Sequence, residues 1–287
     1  MTIATPQRID LHLHSTASDG VFSPAEVIAL AHRHRLDTIA LTDHDTLEGY
    51  PAALAAADAV GLRLLPGVEL STLQPDGSSV DVLGYLFDIH NQPMQTKLTT
   101  ILDKRRNRAA HMVEKLNQSG IPLSLERVYA IAGSGAVGRP HVARALYEAG
   151  HVATIQLAFD KYIGDNGPAY VPHARLTMQE AITMLHDAGG VAVLAHPCFV
   201  PEFETLLPAW VELGLDGIEV YHSAHGPTIT MRARVAARQH DLVMTGGSDF
   251  HQLVMNNEVI IGSVKVPPEC VEQLEARAAR YRSPGSA

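Results

Sequence analysis

Two histidines and an aspartate near the start of the chain have the types and spacing of metal ligands. The stretch DLHLHSTASDG, residues 10–20, places His12 and His14 one residue apart and Asp19 five positions later. Side chains alternate across a β-strand, so the two imidazoles lie on one face of a strand whose other face is apolar. The pattern fits a metal site with further ligands elsewhere in the chain, and it also fits two exposed histidines on an edge strand.

Imidazoles and carboxylates also accompany the other apolar runs of the sequence. Seven short β-rich runs begin at residues 8, 37, 63, 80, 190, 216 and 242, and nearly every one delivers His, Asp or Glu at its end. In a (βα) barrel, the active site is built at the carboxyl ends of the strands. The residues expected there are His12, His14, Asp19, His44, Glu69, Asp81, His196, His222, Asp249 and His251.

The donor atoms of this set are nitrogen and oxygen alone, which suits Mn²⁺, Zn²⁺ or Fe²⁺ better than a thiolate zinc site. The set is too large for one ion, so we expect two to three divalent ions, with Glu69 able to bridge two of them. Ions clustered roughly 3.5–4 Å apart commonly serve displacement at phosphorus. Asp10, on the strand face of the histidines, either orients one of their rings or is a solvated carboxylate.

Composition limits the class of partner. The chain has 287 residues and a net charge of −9, which disfavours duplex DNA but still allows a local cation cluster to hold a small anion. Its two cysteines, Cys198 and Cys270, cannot make a disulfide framework. With neither an apolar leader nor an apolar run of about 20 residues, the sequence predicts a cytoplasmic protein with no membrane contact. No obligate protein partner is evident.

The order of elements predicts a sheet interrupted by a helical insertion. Strands alternating with helices predict parallel pairing. Ser23, Pro24 and Glu26 have the positions of a capping box at the start of the first helix, and Gly61 is placed to end the second. The alternation stops in residues 93–174, where three helical segments are each followed by glycine. This predicts an insertion domain, 93–174, within a catalytic domain formed by 1–92 and 175–287.

The chain resembles the polymerase and histidinol phosphatase (PHP) family of metal-dependent phosphoesterases. The resemblance lies in DLHLHSTASDG, ALTDHDT, PGVELS, VDVLGY, VAVLAHP, IEVYHSAH and GGSDFH, which run in family order along most of the chain. It implies an α/β fold, a distorted seven-stranded, TIM-like (βα) barrel, with a trinuclear metal centre. We expect Mn²⁺ there, with Zn²⁺ or Fe²⁺ as alternatives.

Carried over by position, the resemblance divides the ligands among three ions. One ion would be held by His12, His14, Glu69 and Asp249. A second would be held by Glu69, Asp81 and His196. The third would be held by Asp19, His44 and His251. Many family members have histidine where this chain has Asp81, which is either an anionic ligand that favours Mn²⁺ or a neighbour of the ligands.

The insertion resembles one branch of the family in its segments GRPHVARAL and AFDKYIG. Members of that branch hydrolyse nucleoside 3′,5′-bisphosphates, and some also trim RNA from the 5′ end. Candidate phosphate-binding residues are Arg139, His141, Arg144, Lys161 and, from the barrel, His222. Arg139 and His141 stand at an apparent helix start, where main-chain N–H groups also favour an anion. Arg144, Lys161 and the DKRRNR run fit a solvated face equally, although an arginine of that run could point into the cleft.

These features predict a phosphatase that removes the 3′-phosphate of a small nucleotide such as adenosine 3′,5′-bisphosphate. Glu69 would hold the metals, while the ions and His196 or His222 would offset the charge of the phosphate. The leaving oxygen would take a proton from a histidine or from a metal-bound water. Alternatives with the same centre are a 5′-to-3′ exoribonuclease acting on short RNA and a phosphatase for another phosphomonoester, such as histidinol phosphate. A non-catalytic metal-binding module is the alternative from a different class, and it predicts missing ligands.

Overall fold

Seven strands form one sheet in which spatial neighbours follow chain order. The computed structural model describes residues 7–133, 135–172, 175–252 and 260–282. The strands are β1 (Ile9–Leu13), β2 (Thr38–Leu41), β3 (Arg63–Leu73), β4 (Ser79–Tyr85), β5 (Val191–Leu194), β6 (Gly217–His222) and β7 (Val243–Gly247). Each predicted β-rich run overlaps one of these strands, so the predicted strand set is confirmed.

The sheet curls into a nearly closed barrel. The main-chain N–H of His14 donates to the carbonyl oxygen of Phe250 over 2.9 Å, and Leu13 pairs with Phe250 in a parallel bridge. These contacts join the end of β1 to the segment that follows β7. The fold is therefore the expected α/β class, a distorted seven-stranded (βα) barrel.

The fourth strand runs opposite to its neighbours, so the predicted parallel sheet is wrong at this point. β4 pairs antiparallel with β3 and with β5, whereas the other neighbouring pairs are parallel. Residues 74–78, which join β3 to β4, are too few for the crossover of about a dozen residues that parallel pairing needs. The amino end of β4, with Asp81 opposite Ser71, therefore lies at the rim where the other strands have their carboxyl ends.

Ten helices of the described residues surround or extend the barrel. They are α1 (Pro24–Arg33), α2 (Tyr50–Val60), α3 (Gln92–Gln118), α4 (Leu125–Ala132), α5 (Arg139–Glu148), α6 (Ile155–Ala158), α7 (Met178–Asp187), α8 (Phe203–Glu212), α9 (Pro227–Gln239) and α10 (Glu269–Ala278). The predicted capping box of Ser23 and Glu26 starts α1, and Gly61 ends α2 in the left-handed conformation. Within the described ranges, none of the helices has both the length and the apolar character needed to cross a bilayer.

One long helix connects the barrel to the insertion. The first turns of α3 place Leu98 and Ile101 in an apolar cluster with the barrel, and its later turns place Met112 and Leu116 in a second cluster with α4, α5 and α6. With 27 residues, α3 is about 40 Å long. The insertion thus has its own core from residue 109 onward. The boundaries at 93 and 174 stay predictions, since α3 begins against the barrel and residues 173–174 lie outside the described ranges.

We expect Gly247→Ala to destabilise the barrel at its closure. A Cβ at Gly247 would lie 2.4 Å from the main-chain nitrogen of His12, so β1 would have to move. The free energy of unfolding should fall by about 1–3 kcal/mol, the usual cost of overpacking. Chemical unfolding followed by circular dichroism measures this change. Gly226→Ala is the matched control, because a Cβ there meets open space, and equal stability of the two variants would contradict the expectation.

Candidate metal centre and anion pocket

The strand ends gather buried imidazoles and carboxylates at one rim of the barrel. The His14 Nε2 atom lies 3.2 Å from Glu69 Oε2 and 3.2 Å from Asp249 Oδ1. The His12 Nε2 atom lies 3.2 Å and 3.4 Å from the same two oxygens. Their four ligand atoms all lie within 4.8 Å of one another, so these side chains could hold one ion.

Glu69 presents its second oxygen to another group of donors. Its Oε1 atom lies 2.8 Å from His196 Nε2, while Oε2 faces His12 and His14. Ligand atoms of Glu69, Asp81 and His196 lie within 4.8 Å of one another. Asp81 reaches this group only because β4 is reversed. The geometry therefore allows Glu69 to bridge two ions.

A third group of donors lies toward the β1–α1 loop. Asp19 Oδ1 is 3.3 Å from His251 Nε2 and 3.9 Å from His44 Nε2. A ligand atom of His14 also lies within 4.8 Å of these donors, and its ring stacks on that of His251 with centroids 4.1 Å apart. All the ligands assigned by resemblance thus come together in the three expected sets, and their binding of metal stays a proposal.

The donors fit divalent ions because several are buried without a hydrogen-bond partner in the described part of the chain. These atoms are both ring nitrogens of His14, Asp19 Oδ1, His44 Nδ1, His196 Nδ1 and His222 Nε2. A buried polar atom left unpaired costs about 1–3 kcal/mol. Cations among them would satisfy the atoms that the protein leaves unpaired.

Opposite charges keep this rim ionised in the metal-free protein. Burial lowers the pKa of His14, but the carboxylates of Asp249 and Glu69, each 3.2 Å from Nε2, outweigh it and raise the pKa to about 10. The pKa of His196 rises to about 9, since the hydrogen bond and charge of Glu69 outweigh burial. Conversely, burial raises the pKa of Glu69, but the neighbouring histidines bring it well below its usual range.

Two buried carboxylates hold the centre in place, and sequence reasoning missed or misjudged them. Glu219 accepts from the main-chain N–H of His196 over 2.8 Å, and its Oε1 atom lies 3.0 Å from His12 Nδ1, the arrangement by which a carboxylate orients a ligand ring. The sequence does carry a signal for Glu219, because it is a charged residue inside the otherwise apolar run of β6. Asp10 neither orients a ring nor is solvated, because it accepts from the main-chain N–H groups of Ser248 and Gly262, each over 2.8 Å.

Four arginines line a cleft beside the centre, which we call the arginine pocket. It is lined by Arg105, Arg108, Arg139, Arg175, Ser18, Asp19, His44, Ser71, Asp81, Ala136, Gly138, Pro140 and Phe159. Arg108 donates to the Val171 carbonyl over 2.7 Å, and its buried Nη2 has no hydrogen-bond partner among the described residues. Burial and the charges of the other three arginines lower the pKa of Arg108 to about 10. Such a cluster selects an anion.

Carboxylates already contact some of these arginines. Arg105 donates to Asp45 from Nε over 2.9 Å, and Arg139 donates to Asp165 over 2.6 Å. Arg175 donates to Ser79 at the start of β4. Sequence reasoning did not find Arg175, because nothing in its neighbourhood along the chain shows which cavity it faces.

The other predicted phosphate-binding residues lie outside the arginine pocket. His141 and Arg144 line a second cavity on the other side of Asp19, where Arg144 also pairs with Glu148. His141 is buried, accepts from the Gly138 N–H over 3.0 Å, and has its pKa lowered by burial, so it is a neutral cap of α5. Lys161 is exposed on the π-helical segment Phe159–Ile163 and lines neither cavity.

Metal binding should release protons at neutral pH. With pKa values of about 10 and 9, His14 and His196 are protonated in the metal-free protein at pH 7.5, and an ion needs their lone pairs. His12 adds a third proton, because the charges of Glu219, Asp249 and Glu69 outweigh burial and raise its pKa well above the ordinary value. We therefore expect about three protons to leave per chain. Calorimetric titration with Mn²⁺ in buffers of different ionisation enthalpy measures the number. The release should shrink above pH 10, and heats independent of the buffer would contradict the expectation.

Known proteins are similar to the chain over most of its length. The PHP domain family matches residues 10–188. The 5′-3′ exoribonuclease Rnm of Salmonella typhimurium is 36% identical over 249 residues, 85% of this chain and 85% of that protein. The 3′,5′-nucleoside bisphosphate phosphatase of Chromobacterium violaceum is 32% identical over 280 residues, 95% of this chain and 98% of that protein.

A solved structure agrees with these matches. An amidohydrolase from Chromobacterium violaceum, with bound sulfate and no metal, has a TM-score of 0.83 and 32% identity, covering 94% of this chain and 96% of that one. The match with the family runs from β1 through α7 and includes the insertion. The two enzyme relatives extend the similarity beyond that segment. By fold, site and relatives, the chain belongs to the PHP domain family of metal-dependent phosphoesterases.

Proposed function

We propose that the protein removes the 3′-phosphate from nucleoside 3′,5′-bisphosphates. The observation that carries this proposal is the contact between the arginine pocket and the candidate metal centre. Asp19, His44 and Asp81 belong both to the donor groups and to the lining of the pocket. A substrate with two phosphates on one ribose can place one at the metals and the other among the arginines.

The arginine pocket suits the phosphate that is not cleaved. Arg105 and Arg139 contact the carboxylates of Asp45 and Asp165, and the buried Arg108 has an unpaired Nη2 among the described residues. A terminal phosphate would give that nitrogen an acceptor and bring an anion into a cleft lined by four arginines. Arginine holds phosphate through parallel N–H groups, which fixes orientation as well as position.

The side chains of the centre would align the phosphate that is cleaved. Divalent ions held by the three donor groups, for which we propose Mn²⁺ with Zn²⁺ or Fe²⁺ as alternatives, supply Lewis acidity toward the phosphate and its attacking water. Glu69 keeps His12, His14 and His196 in fixed positions through its two oxygens. A hydrogen bond supports His222 as the donor to the leaving oxygen: its Nδ1 accepts from the Ala224 N–H, so the proton of the neutral ring is on Nε2.

A 5′-to-3′ exoribonuclease acting on short RNA is the second candidate. Relatives named for that activity support it at 36% identity, and the bisphosphate phosphatase relative supports the first at 32%. The terminal 5′-phosphate of RNA could occupy the same arginines. The net charge of −9 and the confinement of the four arginines to one cleft favour the small substrate, because a tracked RNA strand needs cations along its length.

The deciding assay compares two substrates with Mn²⁺ present. We expect release of inorganic phosphate and AMP from adenosine 3′,5′-bisphosphate to exceed release of mononucleotides from a 5′-phosphorylated RNA trimer. Chelator should abolish both reactions. Faster attack on the trimer would replace the first candidate by the second, and phosphate release with excess chelator would contradict both.

Arg139→Ala should weaken binding of the 5′-phosphate without affecting the phosphate that is cleaved. We expect kcat/KM for adenosine 3′,5′-bisphosphate to fall about 10- to 100-fold, the loss of one charge-assisted hydrogen bond. The value for adenosine 3′-monophosphate, which has no 5′-phosphate, should barely change. Arg127→Ala is the matched control, since Arg127 is exposed on the insertion, pairs with Glu148 and lines neither cavity. Equal losses on both substrates would mean that Arg139 supports the fold or the metals.

Glu69→Ala should remove both metal and activity without unfolding the barrel. Glu69 faces two donor groups, so its loss leaves each group one oxygen short. Turnover should fall by orders of magnitude and the bound Mn²⁺ measured by mass spectrometry should decrease, while the far-ultraviolet circular dichroism stays unchanged. Near-normal activity with full metal content would contradict this role.

A further inference from the structure

A group of potential metal ligands with a different chemistry lies beside the centre. Cys198 stands in the short 3₁₀ turn Pro197–Phe199 after β5, His222 ends β6, and His225 follows in the turn before α9. One ligand atom from each lies within 4.8 Å of the other two. This is a thiol and two imidazoles, whereas the three donor groups of the main centre contain no sulfur.

His225 has the hydrogen bond that prepares a histidine to bind metal. Its Nδ1 atom lies 3.0 Å from the Val220 carbonyl oxygen, which can only accept, so Nδ1 carries the proton. The lone pair is then on Nε2, which is buried and has no hydrogen-bond partner among the described residues. Ligand histidines commonly donate their other N–H to a main-chain carbonyl in this way. Nothing in the proposed reaction uses His225.

We propose that Cys198, His222 and His225 form a separate binding site for a soft divalent ion, with Zn²⁺ as the occupant. One sulfur and two nitrogens are donors that zinc prefers, in a site that leaves a fourth position open. The donor atoms of a tetrahedral zinc site lie roughly 3.3–3.8 Å apart, given bonds of about 2.0–2.3 Å, so small side-chain rotations would close this group around an ion. The thiol proton leaves to solvent as the thiolate binds.

The ion would share His222 with the main centre. His222 Nε2 lies 3.4 Å from Asp249 Oδ2, and one of its ring nitrogens lies within 4.8 Å of ligand atoms of Cys198 and His225. Binding the ion would cost His222 the hydrogen bond that its Nδ1 atom accepts from the Ala224 N–H. We call the site formed by Cys198, His222 and His225 the sulfur site. An ion bound there would draw the His222 ring away from Asp249. If His222 protonates the leaving oxygen as proposed above, Zn²⁺ at the sulfur site inhibits an enzyme supplied with Mn²⁺. This consequence rests on the proposed function, whereas the existence of the site does not.

Cobalt spectroscopy tests the site without reference to activity. Co²⁺ replaces Zn²⁺ and gives intense near-ultraviolet absorption only when a thiolate is bound, so Co²⁺ at the nitrogen and oxygen donors does not contribute. We expect titration of the whole protein to give this band and Cys198→Ser to abolish it. Cys270→Ser is the matched control and should keep the band, because Cys270 lies on the buried face of α10, in an apolar cluster. A saturated protein without the band, or a Cys198→Ser variant with it, would overturn the site.

Zinc inhibition tests the shared histidine. In the Mn²⁺-supported release of phosphate, the Zn²⁺ concentration for half inhibition should rise about tenfold or more in Cys198→Ser, as for loss of a ligand, and stay unchanged in Cys270→Ser. If the cobalt band is present but Zn²⁺ inhibits both variants equally, the site stands. The idea that its ion draws His222 away from Asp249 is then overturned. Absence of phosphatase activity would overturn the proposed function, and the cobalt band would still decide the site.

Discussion

A buried carboxylate governs the arrangement of the barrel rim. Glu69 is 1% exposed, and an isolated carboxylate in such a place would take up a proton instead of remaining charged. Its oxygens face the imidazoles of His12, His14, His44 and His196 at 2.8–3.4 Å. β1, β2 and β5 therefore each bring an imidazole to the height of this one group.

The rim has an acidic side and a basic side, and the reversed strand connects them. Burial and the charge of Glu69 raise the pKa of Asp81, while the charges of His196, His44 and Arg175 oppose that rise. Asp81 thus stands between the donor groups and the arginine pocket. A phosphate in that position meets metal ligands on one side and guanidinium groups on the other. The insertion supplies Arg105, Arg108 and Arg139, so the proposed function makes substrate preference depend on the insertion more than on the barrel.

Local patterns predicted the strands and the donor positions because both depend on neighbours in sequence. Alternation placed His12 and His14 on one face, and strand ends located Glu69 and Asp249. The reversal of β4 was also within reach, since the segment QPDGSS between two β-rich runs is typical of a hairpin turn. The preference for parallel pairing was a general rule that a short connection overrides.

The predictions that were wrong or absent concern residues whose contacts are distant in the sequence. Asp10 is satisfied by N–H groups of Ser248 and Gly262, more than 230 positions away, and no local pattern encodes that. Arg175 reaches its pocket because the chain returns from the insertion at that point. His141 has a residue type and a position suited to binding an anion, but its ring instead accepts a hydrogen bond that caps α5. The roles of the individual site residues stay predictions until they are measured.

The continuity of α3 has a consequence for how substrate specificity can change in evolution. One unbroken helix carries both the barrel contacts and the arginines of the DKRRNR run, so those arginines are fixed relative to the metal ligands. Beyond residue 109 the insertion packs mainly on itself. Its later helices can therefore be replaced or lengthened while the catalytic chemistry is inherited intact. A lineage could move from nucleotides to oligomers by altering the far end of this helix.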